Sequence, residues 1–467
     1  MCFFAHRVRY NQGIATRLSW KTKLLYGSGD TGFSLTTTLI GAYLAIFLTD
    51  VVGLAPGLVA AALFIGRTWD YVNDPMIGWL SDRTRSRWGR RRPFLLFGAL
   101  PFGLAFLLLW WRPPLQAAMA LAAYYALAYL VFDTCSTLVA MPYLALTPEL
   151  TADYDERTSL TTYRMFFSIF ASLLAFTVPL MIIGSFRPEN ARRVLLTGLL
   201  FGLASAAPLF LVFAGTRERR EFSQAAPPRL RQAWKSVVTN RPFRLGLGIY
   251  VFTWIAVDLV QAVILYFIKY CVRREAQGDL IMGSIFVSAI VSLPLWNLLA
   301  RRWDKRIAFI AGVSFWTAVQ LVIVSLGPAT PLWLLFVLCV LAGVGVGAAH
   351  VLPWSILPDA IEYNEYKTGV RQEGTFYSVV TLAQKVASSV AIPLCLLLLQ
   401  VSGYRPNLAE QPPSALLAIR LAMGVLPGLL LGLGTFCAVR YPLRRKEFAQ
   451  ITEFLEQKRR AARERPA

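Results

Sequence analysis

Arg67-Thr-Trp-Asp70-Tyr-Val-Asn73-Asp74-Pro75-Met-Ile-Gly78-Trp-Leu-Ser-Asp82-Arg-Thr-Arg-Ser-Arg-Trp-Gly89-Arg-Arg-Arg92-Pro93 is the stretch whose reading decides the fold. Its first part closes an apolar run from Pro56 to Leu80, about 25 residues and long enough to cross a bilayer. That run nevertheless holds Arg67, Asp70 and Asp74. Ionisable groups at such depth cost roughly 2.5–3.5 kcal/mol each, so they need partners and usually mark a function. Helical spacing of i, i+3 and i+7 puts positions 67, 70 and 74 on one face, with Asn73 beside them. Two carboxylates and an amide make an oxygen-rich set that suits a hard cation such as sodium, or a proton. The remainder, from Arg83 to Arg92, is a short and strongly basic turn.

The whole chain shares this character. Only 16% of its 467 residues are charged, against about 25% in a soluble protein. The 56% of hydrophobic residues fall in blocks of about 20 residues, the pattern of a polytopic membrane protein. A net charge of +21 would point to nucleic acid in a soluble chain. Here the bases crowd into short turns between apolar blocks, so membrane topology explains them and no nucleic-acid partner is expected. The six cysteines, Cys2, Cys135, Cys271, Cys339, Cys395 and Cys437, have neither metal nor framework spacing. The two histidines, His6 and His350, are far apart. There is no phosphate-binding glycine loop, so neither an enzyme nor a bound cofactor is expected. The N-terminus lacks a signal-peptide layout.

Apolar patterning predicts an all-α membrane protein with twelve spans, near 30–51, 56–81, 94–111, 115–146, 160–184, 195–215, 243–270, 279–300, 306–326, 331–357, 373–400 and 414–440. The polar segment 216–242 separates a first half, 1–215, from a second, 243–440, and a basic tail occupies 441–467. Within that segment Leu230, Ala233, Trp234 and Val237 have the spacing of a short interfacial helix. Pro75-Met-Ile-Gly-Trp-Leu80-Ser-Asp-Arg83 is echoed by Pro294-Leu-Trp-Asn-Leu-Leu299-Ala-Arg-Arg302, as expected of repeated halves with a site between them. Bases near span ends place both termini in the cytoplasm, with Arg112, Arg187, Arg192, Arg193, Arg273 and Arg274 as exceptions. In the tail Phe448, Ile451, Phe454 and Leu455 share helical spacing ahead of Lys458, Arg459 and Arg460, which reads as a surface helix on anionic lipid or as a frayed basic end.

Arg67-x-x-Asp70-x-x-Asn73-Asp74-Pro75-x-x-Gly78 followed by Thr84-Arg-Ser-Arg-Trp-Gly89 resembles the glycoside–pentoside–hexuronide:cation symporters of the major facilitator superfamily. The likeness continues through Tyr26-Gly27, Thr49-Asp-Val-Val-Gly53, Met141-Pro-Tyr143, Tyr163-Arg164, Glu362-Tyr-x-Glu-Tyr-Lys367, Val370-Arg371, Tyr377-Ser378 and Lys385. The resemblance implies two six-helix halves, an inner-membrane location, a small-molecule substrate and a coupling ion, Na+ or H+. It implies a cation site between helices two and four, carried over to Asp70, Asn73, Asp74 and Thr137. A monomer surrounded by membrane lipids is expected.

The substrate side departs from the family pattern. Its melibiose permease holds sugar hydroxyls with acids on helices one and four and tryptophans on helices four and ten. The matching positions here are Ser34, Ala140, Leu144 and His350, with Arg164 kept. A galactoside is therefore doubtful, although a glycoside or related carbohydrate remains the family expectation. Leu352-Pro-Trp-Ser-Ile-Leu-Pro-Asp359 and Leu293-Pro-Leu-Trp296 resemble a second branch, the sodium-dependent lysophosphatidylcholine symporters. A lysolipid is therefore the alternative substrate.

Arg164 and Lys385 are the bases expected to face the central cavity. Lys385 needs a carboxylate or phosphate opposite it, for which Asp258 is a candidate. Asp133 lies i, i+4 from Thr137 and has three readings: a third carboxylate favouring proton use, a partner of Arg67, or a solvated group a turn too near the surface. Arg67 itself is read against Asp70 or Asp74. Asp30 opens the first span and favours its N-terminal dipole. Arg83, Arg85, Arg87, Asp359, Glu362, Glu365 and Arg371 are expected to form gating ion pairs at the cytoplasmic face.

Overall fold

A computed structural model of the chain describes residues 18–151, 154–218, 238–369, 373–444, 447–451, 453–455 and 457. The described residues are helical, with no strand among them. Span α1 is built from Trp20–Gly27, Gly29–Leu39 and two π-helical turns, Ile40–Leu44 and Phe47–Val52. There follow α2 (Pro56–Arg83), α3 (Arg92–Trp110), α4 (Ala118–Leu150), α5 (Tyr154–Ile183) and α6 (Ala191–Gly215). In the second half α7 (Arg241–Tyr266) continues into a π-helical turn, Phe267–Val272. It leads to α8 (Gly278–Arg302), α9 (Lys305–Ser325), α10 (Leu332–Thr368) and α11 (Glu373–Val401). Last, α12 runs through Pro413–Arg420, Leu421–Val425 and Leu426–Arg440.

Each expected span thus coincides with a helix. Among the described residues, ten helices are long and apolar enough by composition to cross a membrane. Of the other two, α1 is interrupted by its π turns, and α2 carries Arg67, Asp70 and Asp74 inside its 28 residues. Proline starts several helices where its missing N–H costs nothing, as at Pro56 and Pro242. α10 runs about a dozen residues past its expected end at 357 and stops at Gly369, whose φ of 71° suits a left-handed cap.

Helices α1–α6 pack on one another through α2–α4, α3–α6 and α1–α5, and α7–α12 through α8–α10, α7–α12 and α9–α10. The halves meet along α2–α11, α5–α8 and α1–α7, pairs that exchange under a two-fold repeat. In lipid no hydrophobic drive holds helices together, so close packing must do it. Gly103 of α3 and Gly202 of α6 show how. A Cβ on either would sit 2.7 Å from the other's carbonyl oxygen.

Beyond α12, Ile451 and Leu455 are buried and Phe454 sets its ring edge-on to Tyr366 at 5.2 Å. This part of the tail therefore packs on the end of α10, with Ile451 and Leu455 covered by protein and Phe454 half exposed. The tail from 458 on and the amphipathic stretch 230–237 lie outside the described residues.

Candidate functional site

The acids of α2 are positioned by a helix wedged between two neighbours, α4 of its own half and α11 of the other. Toward α4, Trp69 Nε1 donates to Thr134 Oγ1 (2.9 Å), and Thr137 Oγ1 donates to Asp74 Oδ1 (3.2 Å). Asn73 is fully buried, and its amide donates to the carbonyl oxygen and to Oδ2 of Asp133, both at 3.3 Å. Toward α11, Tyr71 shares a hydrogen bond with Ser389, while Lys385 Nζ lies 2.5 Å from Asp74 Oδ2 and 3.1 Å from Asp70 Oδ1. Pro75 follows immediately. Having no N–H, it leaves the Tyr71 carbonyl without its helical donor, which loosens α2 at the level of the two acids.

All four residues carried over as cation ligands therefore sit on the α2–α4 seam. Asp74 and Thr137 are in contact, Asp70 joins Asp74 through Lys385, and Asn73 turns its amide toward Asp133. The Oδ1 of Asn73 is buried with no hydrogen-bond partner. This is an open acceptor among oxygens that suit a hard cation. Asp70, Asp74 and Lys385 keep 21%, 23% and 32% of their side-chain surface exposed. Among the described residues no group of three or more His, Cys, Asp or Glu side chains is spaced to hold one metal ion.

Several expected pairings are corrected. Lys385 does not meet Asp258: that carboxylate accepts from Ser388, one turn along α11, while Lys385 points into α2. Asp133 is neither solvated nor paired with Arg67. It is buried and faces Asn73 and Asp70, because its side of α4 packs against α2. Arg67 does not pair with Asp74. It lies against Tyr129 of α4, with the charges of Asp258 and Asp70 near it, and its Nε is buried without a partner. Asp30 does more than serve a helix dipole, for Arg164 Nε reaches its Oδ2 at 2.6 Å and Nη2 reaches Oδ1 at 3.3 Å. Arg164, also 5.3 Å from the Tyr143 ring, is held by the first half.

The substrate-side positions are spread over both halves. Ser34 shares a 2.6 Å hydrogen bond with Ser168. On α4, Ala140 is half-buried and Leu144 exposed. His350 Nδ1 lies 3.0 Å from the Val346 carbonyl oxygen, and its ring stands edge-on to Trp254 at 5.1 Å. Sequence reasoning missed the aromatic group around it: Tyr250 packs against Trp254 (5.9 Å) and Trp354 (5.0 Å), and Tyr377 stacks on Trp354 at 6.4 Å. The i, i+4 spacings 250/254 and 350/354 were the available signal.

At the face where α2 ends and α3 begins, the expected pairs of the basic turn are replaced by others. Arg83 stacks on Trp79 (4.1 Å) and Arg87 on Trp88 (4.2 Å), and Arg85 is exposed. It is Arg90 and Arg91 that reach Glu149, at 2.5 and 3.3 Å. The Glu218 carboxylate accepts the backbone N–H groups of Arg90, Arg91 and Arg92. Asp359 pairs with Lys305 at 2.6 Å, Glu362 and Glu365 are half-buried on the same helix end, and Arg371 lies outside the described residues. A cavity of about 520 Å³ beside Pro242, Tyr363 and Ile451 also opens at this face, remote from the α2 acids.

The family model described as MFS/sugar transport protein matches residues 25–445. An uncharacterised symporter of Synechocystis sp. is 32% identical, with 95% of this chain and 97% of that protein covered. The sodium-dependent lysophosphatidylcholine symporter 1-A of Danio rerio is 29% identical over 91% of this chain and 87% of its own. The isoprimeverose transporter of Lactiplantibacillus pentosus is 27% identical over 94% and 92%. Among solved structures, the inward-open xylose transporter of E. coli superposes with a TM-score of 0.65 at 12% identity, covering 92% of this chain and 98% of that one. At that identity the likeness speaks for the fold alone.

Proposed function

Because the chain belongs to the MFS/sugar transport protein family, we propose that it is a cation-coupled symporter in which Na+ or H+ competes with Lys385 for Asp70 and Asp74. The observation that carries this reading is the lysine bridge between the halves, from α11 to the two acids of α2. An ion that takes those carboxylates releases the ammonium, and with it an ion pair across the α2–α11 seam. Ion binding thereby biases how the halves sit, the requirement for coupling an ion gradient to rocking about a central site. Magnitudes agree. All three groups are partly exposed, so the pair is worth on the order of 1 kcal/mol, little enough for an arriving ion to displace. Asn73 Oδ1 and Thr137 would complete an oxygen set for sodium. Asp133, held by Asn73, sets the charge behind it.

A carbohydrate is the substrate the family description favours, and the isoprimeverose transporter supports it. A second reading, a lysophospholipid, is favoured by a specific observation. Ser34, Ala140 and Leu144 offer no carboxylate for sugar hydroxyls, Arg164 is already neutralised by Asp30, and the aromatic group around His350 gives an apolar face. The protein would act as a monomer in the cell inner membrane with both termini cytoplasmic. Proteoliposomes offered radiolabelled pentosides and lysophosphatidylcholine, with and without a sodium gradient, separate the two substrates. In the same vesicles Asp70→Cys and Asp74→Cys should each cut concentrative uptake at least about tenfold, while some solute binding persists. Gradient-driven accumulation that survives both changes rules the coupling site out.

A further inference from the structure

The face opposite the basic turn 83–92 carries a second joint between the halves, unrelated to the α2 acids. α1 ends in Phe47-Leu-Thr49-Asp50-Val-Val52-Gly53 and α7 in Phe267-Ile-Lys269-Tyr270-Cys-Val272-Arg273. These are corresponding helices of the two halves, and both segments are π-helical. Each is closed by a left-handed residue, Gly53 at φ 89° and Arg273 at φ 57°. Each then makes the same wide backbone bond, Leu54 N–H to the Leu48 oxygen (3.0 Å) and Arg274 N–H to the Ile268 oxygen (3.1 Å). A residue other than glycine seldom adopts that conformation unless its surroundings impose it. Single π turns concentrate at functional positions.

The two turns meet. Asp50 has no exposed surface, and its carboxylate takes an ion pair from Lys269 at 2.5 Å and hydrogen bonds from the hydroxyls of Tyr270 and Tyr404. Asn407 Nδ2 donates to the Asp50 carbonyl oxygen at 2.6 Å, and Thr49 shares a 2.9 Å hydrogen bond with Tyr266. Every one of these partners belongs to the second half, while Thr49 and Asp50 belong to the first. We propose that this pair of π turns is the gate of the face opposite the basic turn 83–92, and that Asp50 is its latch.

The physics of the buried carboxylate makes the latch all-or-none. An ionised group without water is tolerable only with its full set of donors. Apart from Thr49 Oγ1, which donates to Oδ1 at 2.8 Å from the same turn, those donors sit on two elements of the second half, the end of α7 and the segment between α11 and α12. A small separation of the halves would strip several at once and leave a buried charge, so the joint is stable either closed and dry or open and hydrated. The α2 acids play no part in it, so the latch stands or falls apart from the coupling site.

Gly57 and Gln400 report closure directly. Gly57 N–H donates to Gln400 Oε1 at 3.1 Å, and a Cβ at 57 would lie 3.5 Å from Gln400 Cγ. The Gly57→Cys/Gln400→Cys pair, treated with copper-phenanthroline in membranes, should form a disulfide rapidly and stop solute uptake until reduced. Adding Asp50→Asn or Lys269→Gln should slow crosslinking about tenfold, and Tyr404→Phe, which removes one hydroxyl, about threefold. If Asp50→Asn fails to reach the membrane, Lys269→Gln and Tyr404→Phe decide the matter. Crosslinking at the unmodified rate in every variant that inserts overturns the proposal. Because the readout is a disulfide, a chain with a failed coupling site still tests the gate.

Discussion

Arg164 shows how one residue's environment redefines its role. An unbalanced charge inside a membrane is expensive, and the guanidinium meets the Asp30 carboxylate of α1. Arg164 and Asp30 keep only 14% and 12% of their side-chain surface. Removing one member of such a pair leaves the other buried and unpaired, which costs more than the pair itself is worth. Arg164→Gln should therefore lower the melting temperature in detergent by about 4 °C. The double change Arg164→Gln/Asp30→Asn should recover at least half of that loss. Equal melting of the single and double variants, measured by tryptophan fluorescence or a thiol-reactive dye, would mean that the pair is not what stabilises α1 against α5.

Among the elements, α10 is the most tightly set. Its Gly343 and Gly347 lie against α8, where a Cβ at 343 would stand 1.9 Å from Ser288 Oγ and 2.2 Å from the Ile285 oxygen. The second of these contacts is backbone and cannot rotate away. Gly343→Ala should cost about 1–3 kcal/mol, the usual range for overpacking, and reduce the yield of folded protein. Gly432→Ala on α12, where nothing lies within 4 Å of the added carbon, serves as the comparison and should be neutral. Matching thermal stability for the two alanine variants would show that α8 and α10 can part without cost. The same close approach fixes the heights of Trp296, whose Nε1 donates to the Val344 oxygen at 2.7 Å, and of the aromatic group farther along α10.

On the scale of the molecule, most packing lies within each half, and the halves share three seams. One seam, α2–α11, carries the lysine bridge to Asp70 and Asp74. Another, α1–α7, carries the Asp50 latch at the end where α1 closes on Gly53. A chain divided within the 216–242 segment and co-expressed as two pieces should therefore assemble, since each piece keeps its own helix contacts. We expect uptake on the order of half the intact rate and none from either piece alone. Loss of uptake when both pieces are present in the membrane would show that the halves do not fold as separate units.

The sequence alone determined the class, the span positions and the face of α2 that bears the acids. These rest on local regularities, a hydrophobic block length set by the bilayer and a helical period of 3.6 residues. It also placed Thr137 and Asp133 on one side of α4 by the same period. What lay beyond it was the choice of partners. Lys385 is 311 positions from Asp74, Arg164 is 134 from Asp30, and Asp50 is 219 from Lys269 and 354 from Tyr404. The sequence left Asp258 open as the partner of Lys385. Lys385 and Ser388 lie one turn apart on α11, and only the tertiary packing decided that Lys385 reaches Asp70 and Asp74 of α2 while Ser388 takes Asp258 of α7.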